Sequence, residues 1–229
     1  MEIFIDSANK SEIKKWIDCG VADGVTTNPS IMFKDGVLDI EKGSKELAGL
    51  IYPRPLSVEV TSNDPKEMLE QARIISKWAK NIAIKIPIIN ADGVPCTNVV
   101  KQLEEEGIKV NATLILSFGQ FILAVKSNAT YASIFAGRAE DEGHDSSILV
   151  SQACTWLSHW PQYKTKIIVA SIRGIRDVQE SALSGAHILT IPPGLINRMA
   201  DHRNTRAGVK TFIQDTAKAL EAAKTKKSP

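Results

Sequence analysis

One lysine stands in a run of isoleucines. Asn81-Ile-Ala-Ile-Lys-Ile-Pro87 alternates large apolar residues with Ala83 and Lys85, the period-two pattern of a strand whose two faces differ. A lysine held among apolar neighbours loses hydration, which favours the neutral amine. A neutral amine is a nucleophile able to form a Schiff base with a ketone. The bland alternative is a strand-end lysine with a buried stem and a hydrated head. The run by itself favours that alternative, so the weight falls on the rest of the chain.

The totals describe a soluble globular protein. Of 229 residues, 43% are hydrophobic and 24% charged, with a net charge of +2. Such a chain can bury a sizeable core without staples, and its charge is too small to suggest a nucleic-acid groove. No apolar run reaches the roughly 20 residues of a membrane helix. The start, Met-Glu-Ile-Phe-Ile-Asp, enters a strand pattern directly, so no signal peptide is expected. The three cysteines, Cys19, Cys96 and Cys154, are widely spaced, and form neither a C-x-x-C motif nor a disulfide framework. The four histidines show no metal-ligand spacing. These features fit a reducing, cytoplasmic setting.

Strands and helices alternate along the whole chain. Strands are expected at Glu2–Asp6, Asp23–Thr26, Leu56–Val60, Ile82–Ile86, Ile108–Leu114, Tyr131–Phe135, Lys166–Ser171 and His187–Ile191. Helical patterns lie between them. Asp64-Pro-Lys-Glu67 is a strong helix start, with a capping Asp and Pro at the first helical position. Pro29 is read as ending regular structure after the second strand. Eight such units in one domain spanning 1–229 predict a (β/α)8 barrel, with an open doubly wound sheet as the alternative. Val209, Phe212, Ile213, Ala217 and Leu220 mark an extra amphipathic C-terminal helix over 205–222. Residues 223–229 read as a polar tail.

Active sites of such barrels lie at the C-terminal ends of the strands. Those ends collect Asp6, Thr27 and Asn28, Glu59, Lys85, Asn111 and Thr113, Ser133 and Phe135 with Arg138 beyond, and Ser171 with Arg173. Parity puts Phe4 with Asp6, Ser57 with Glu59, Asn111 with Thr113, Ser133 with Phe135, and Val169 with Ser171. A polar ring inside a barrel is either mutually hydrogen-bonded or functional. Each position also has a structural alternative. Asp6 could cap a helix, Asn28 could be a turn residue, and Glu59 and Arg173 could form an ion pair. Their joint placement around Lys85 favours function.

These segments, in order, resemble the transaldolase family, in particular its short single-barrel branch, which includes the fructose-6-phosphate aldolases. The resemblance rests on Ile5-Asp-Ser7, Gly24-Val-Thr-Thr-Asn-Pro-Ser30, Ser57-Val-Glu59, Ile84-Lys-Ile-Pro87, Asn111-Ala-Thr113, Phe135-Ala-Gly-Arg138 and Ala170-Ser-Ile-Arg173. It implies that Lys85 forms a Schiff base with a ketose and that Asp6 moves the proton of the sugar hydroxyl. Glu59 and Thr113 would work through a water. Asn28, Asn111 and Ser133 would bind a dihydroxyacetone unit, and Arg138, Ser171 and Arg173 the sugar phosphate. No metal or organic cofactor is implied.

The implied activity is that of a transaldolase of the pentose phosphate pathway. It would move dihydroxyacetone from sedoheptulose 7-phosphate or fructose 6-phosphate to glyceraldehyde 3-phosphate or erythrose 4-phosphate. The alternatives are a fructose-6-phosphate aldolase and a catalytically silent sugar-phosphate-binding barrel. Phe135 favours transfer, because the aldolases of this branch carry tyrosine there. Ile134 and Ile172 depart from the family's usual proline and phenylalanine. The resemblance also implies a homo-oligomer, pentamer or decamer, with the C-terminal helix as a candidate contact. No nucleic-acid or membrane partner is expected.

Overall fold

A computed structural model describes residues 1–225. They form two compact units, Met1–Pro193 and the residues from Gly194 onward. The first begins with β1 (Glu2–Asp6), α1 (Lys10–Asp18), β2 (Gly24–Thr26), α2 (Pro29–Lys34), α3 (Ile40–Ile51), β3 (Leu56–Glu59), α4 (Pro65–Ile75) and β4 (Ile82–Pro87). It continues with α5 (Thr97–Glu105), β5 (Val110–Ile115), α6 (Phe118–Lys126), β6 (Tyr131–Phe135), α7 (Ala136–Asp141), α8 (Ser146–Ser158), β7 (Lys166–Ala170), α9 (Ile175–Leu183) and β8 (Ile188–Ile191). The strands are parallel and close in sequence order, β8 pairing with β1. This is the (β/α)8 barrel that the alternation predicts. Among the described residues no helix is long and apolar enough to cross a membrane.

The floor of the barrel is apolar. Phe4, Ala83, Tyr131, Ile168 and Ile188, from five different strands, form one buried cluster. Fully burying each Phe or Ile side chain of this cluster contributes roughly 1.5–3 kcal/mol of transfer free energy. The Phe4 ring needs the missing side chain of Gly24, its register partner. A Cβ there would lie 2.7 Å from a ring carbon. Two residues further along the same faces the side chains turn polar: Asp6 above Phe4, Thr26 above Gly24, Lys85 above Ala83, Ser133 above Tyr131. Strand parity thus separates a hydrophobic floor from a polar mouth.

Local chemistry explains most helix starts. Asp64 accepts from the backbone N–H groups of Lys66 and Glu67. Ser117 accepts from Gln120, whose own side chain takes the N–H of Leu116. Three helices were not anticipated. Pro29 opens α2 instead of stopping the chain, because the first helical position has no use for an N–H. Arg138 and Asp141 lie on α7, which follows the sixth strand directly. The third is α10 (Pro193–Ala200). The C-terminal helix α11 runs over Arg203–Thr225, and Val209, Phe212, Ile213 and Leu220 on it are exposed. The tail residues 226–229 lie outside the described residues.

Candidate active site

The C-terminal ends of the strands surround a pocket of about 220 Å3. Asp6, Asn28, Lys85, Asn111, Thr113, Ser133, Phe135, Arg138 and Ser171 line it. Three residues singled out from the sequence do not: Thr27 and Glu59 stand against the lysine, and Arg173 pairs elsewhere.

Lys85 is 5% exposed between the fully buried Ile84 and Ile86. Its Nζ donates to the carbonyl of Thr27 at 2.9 Å and lies 3.0 Å from Glu59 Oε2. Glu59 and Lys85 are register partners on β3 and β4, so the sheet itself sets this pair. Lys85 is likewise the register partner of Asn111 on β5. A buried charge needs such partners, since an unpaired one costs several kcal/mol (~3–5). An ammonium has three N–H donors. One is donated to Thr27 here, and the ion pair with Glu59 balances the charge.

Asn111 is fully buried at the centre of a relay. Ser133 Oγ donates to its Oδ1 at 2.6 Å, and its Nδ2 donates to Ser57 Oγ at 3.1 Å. Thr113 Oγ1, two residues along β5, is buried without a hydrogen-bond partner among the described residues. Such a group costs about 1–3 kcal/mol unless something else satisfies it, so it is suited to a water or a substrate hydroxyl. Asn28 has a double role. Its Oδ1 caps α2 by accepting from Ile31 N–H at 2.8 Å, while the residue lines the pocket.

Asp6 accepts a 2.7 Å hydrogen bond on Oδ1 from Thr26 Oγ1. Burial pushes its carboxyl above the usual aspartate range, and the charge of Asp35 adds to that. The Thr26 hydrogen bond and the Lys85 charge oppose the rise. Asp6 therefore needs less driving force to take a proton than an exposed aspartate does.

The cationic side of the mouth is less simple. The Arg138 guanidinium lies over the Phe135 ring, 5.1 Å from its centroid. Arg173 makes a two-point ion pair with Asp141 on α7, one contact at 2.6 Å, and this pairing holds the Asp141 carboxyl low. Both side chains are about half exposed, at 53% and 54%, and exposed pairs of this kind are weak. Ser171 reaches the pocket by an unexpected route. The inward residues of β7 are Ile168 and Ala170, not Val169 and Ser171, and Ser171 turns in through a left-handed backbone at φ 59°.

Thr26, Ser30, Ile31, Lys34, Ala170 and Thr190 also line the pocket, and none was singled out from the sequence. Thr26 and Thr190 had a readable signal, since each is two residues beyond an inward residue of its strand. Lys34 had none while α2 went unrecognised. On that helix Ser30 and Lys34 are four residues apart and share a face. Lys34 has no ion-pair partner among the described residues.

A closed parallel barrel whose polar mouth is built around one buried lysine defines the class of protein. The chain belongs to the Transaldolase/Fructose-6-phosphate aldolase family, whose model matches residues 3–228. It is 37% identical over 215 residues to a protein of Dehalococcoides mccartyi named "Probable transaldolase", covering 94% of this chain and 97% of that one. A Streptococcus pyogenes serotype M2 protein of the same printed name is 42% identical, covering 95% and 98%. Among solved structures, the recombinant flavin-binding domain of baker's yeast flavocytochrome b2 superposes with a TM-score of 0.59 at 7% identity. That match covers 84% of this chain and spans 56% of the flavin-binding chain, a likeness of fold alone.

Proposed function

We propose that this protein is a transaldolase, carrying a dihydroxyacetone unit from a ketose phosphate to an aldose phosphate. The observation that carries the reading is the buried Lys85 amine between Glu59 and the Thr27 carbonyl, opening into a pocket that Asp6 also lines. Family membership supports sugar-phosphate substrates. Glu59 is near enough to take the ammonium proton, leaving an amine that attacks the ketose carbonyl. Loss of water then gives an iminium. The Asp6 carboxylate takes the proton of the sugar hydroxyl at C4 as the C3–C4 bond breaks, and its electron pair flows into the iminium. An aldose phosphate leaves and an enamine stays on Lys85 until an acceptor aldehyde reverses these steps. The iminium keeps one N–H where the ammonium had three. It cannot serve both Thr27 and Glu59, which frees Glu59, with the unpartnered Thr113 hydroxyl, to hold a water.

Arg138 and Lys34 are cations lining the pocket besides Lys85, and with Ser171 they suit a phosphate. Arg173 can join them by exchanging Asp141 for the ligand. Arg138→Ala and Lys34→Ala are each expected to raise KM for fructose 6-phosphate about tenfold or more, the scale of one charged hydrogen bond. KM for unphosphorylated fructose as donor should stay nearly constant. Equal increases for both donors would remove these residues from phosphate binding.

The deciding experiment is glyceraldehyde 3-phosphate release from fructose 6-phosphate, with and without erythrose 4-phosphate. A transaldolase requires the acceptor, whereas equal release without it means an aldolase. Phe135 lines the pocket and offers no hydroxyl to orient a water against the enamine. Phe135→Tyr is expected to raise acceptor-independent release about tenfold, the worth of one added hydrogen bond. An unchanged rate would break this link.

A further inference from the structure

Asp6 is attached to a second hydroxyl beyond Thr26. Thr26 Oγ1, which donates to Asp6 Oδ1 at 2.7 Å, is itself hydrogen-bonded to Thr190 Oγ1. Thr26 and Thr190 are 3% and 1% exposed. A hydroxyl has one proton to give. With the Thr26 proton directed at Asp6, Thr190 must be the donor in the second bond. The chain therefore has one direction, from β8 through β2 to β1. The strands place its three members, since Asp6 and Thr26 are register partners and Thr190 sits one strand to the other side, paired with Phe4. No bond among the described residues engages Asp6 Oδ2.

We propose that Thr26 and Thr190 are positioning residues for Asp6, a buried two-hydroxyl chain that ties down Oδ1 and keeps Oδ2 aimed at the substrate hydroxyl. The proposal rests on the transaldolase reading above. Its physical content is twofold. A carboxylate fixed at one oxygen cannot turn about its terminal bond, so the other oxygen is already oriented when the substrate arrives. A hydroxyl that accepts a hydrogen bond also becomes a better donor, so Thr190 strengthens the hold of Thr26. The arrangement serves both protonation states, because a proton taken on Oδ2 leaves the bond at Oδ1 undisturbed. The charged groups that act on Asp6 from the surrounding elements are Lys85 on β4 and Asp35 at the end of α2. Neither belongs to the hydroxyl chain.

The test compares Thr26→Val, Thr26→Ser and Thr190→Val with wild type. The readouts are kcat, KM and the pH profile of kcat/KM for fructose 6-phosphate with erythrose 4-phosphate. Borohydride trapping of the ketose reports the folded, Lys85-competent state. Thr26→Val is expected to lower kcat about 10- to 100-fold with little change in KM, the scale of misaligning one reacting group. Its acid limb should move to higher pH, because the carboxylate loses a donor that favoured its charge. Thr190→Val should move both quantities the same way by less, and Thr26→Ser should recover most of the activity. Trapping should persist throughout. An unmoved acid limb in Thr26→Val, or a Thr26→Ser enzyme as impaired as Thr26→Val, overturns the proposal while trapping by wild type sustains the transaldolase reading. A wild-type enzyme that traps no ketose overturns that reading and the proposal with it.

Discussion

Lys85→Met protein mixed with fructose 6-phosphate and borohydride is expected to gain no covalent label, and its turnover to fall at least ~10⁴-fold, the scale on which removing a covalent nucleophile acts. Lys34 also lines the pocket, so another lysine is within the same space. Peptide mapping of the trapped wild-type adduct should find the label on Lys85 alone. Label on Lys34, or label surviving in Lys85→Met, would defeat the assignment. The substitution also leaves Glu59 without its counter-ion. Glu59 keeps 16% of its side chain exposed, so water offsets part of the penalty for breaking a buried pair, leaving about 1–3 kcal/mol of lost stability. Adding Glu59→Gln to Lys85→Met should recover much of the lost melting temperature while restoring no activity. That result would separate the electrostatic role of the lysine from its chemical one.

Asp6→Asn is expected to show the opposite combination, a large loss of rate with no loss of stability. Without a carboxylate to accept the hydroxyl proton, cleavage should fall about 10²- to 10⁴-fold. Borohydride trapping of the unbroken ketose should persist, since in the proposed mechanism iminium formation precedes the step that uses Asp6. Burial raises the carboxyl of Asp6 in the folded protein, so the folded state binds its proton more tightly than the unfolded chain does. Such a group favours folding below its unfolded pKa and loses that contribution as pH rises through the folded value. In its ionised form the aspartate is unfavourably buried. Asparagine removes that charge and can still accept from Thr26. Asp6→Asn should therefore melt no lower than wild type at pH 7, and the difference should shrink in acid. A lower melting temperature at pH 7 would mean that the carboxylate stabilises the barrel, contrary to its burial.

The path from residues to this site was readable where two-residue periodicity governs it. Lys85 among isoleucines, Asp6 after Phe4, and Asn111 with Thr113 all follow from side chains alternating along a strand, and the structure brings them to one mouth. The same rule, applied to the second and eighth strands, would have found Thr26 and Thr190. It failed at β7 because Ser171 leaves the extended region, and a single left-handed residue shifts which side chains face inward. Lys34 was hidden for a different reason. Proline is a weak stop when the preceding residue can cap a helix, and Asn28 does so. Arg173 marks the limit of local reading. Its backbone position follows from the strand, but the choice between pocket and Asp141 belongs to a long side chain and to an acidic residue on α7 that becomes its neighbour only in the folded barrel.

Gly137 gives this mouth an evolutionary constraint. Its N–H meets the carbonyl of Ser171 at 3.2 Å, and a Cβ there would stand 2.3 Å from that oxygen and 2.9 Å from Arg173 Nε. Even alanine would thus push the start of α7 off the end of β7. Arg138 is the next residue and Ser171 is the opposing wall, so one missing methyl sets their spacing. Drift at position 137 is closed even though the residue offers no functional group. A chain that loses this glycine must move both walls together.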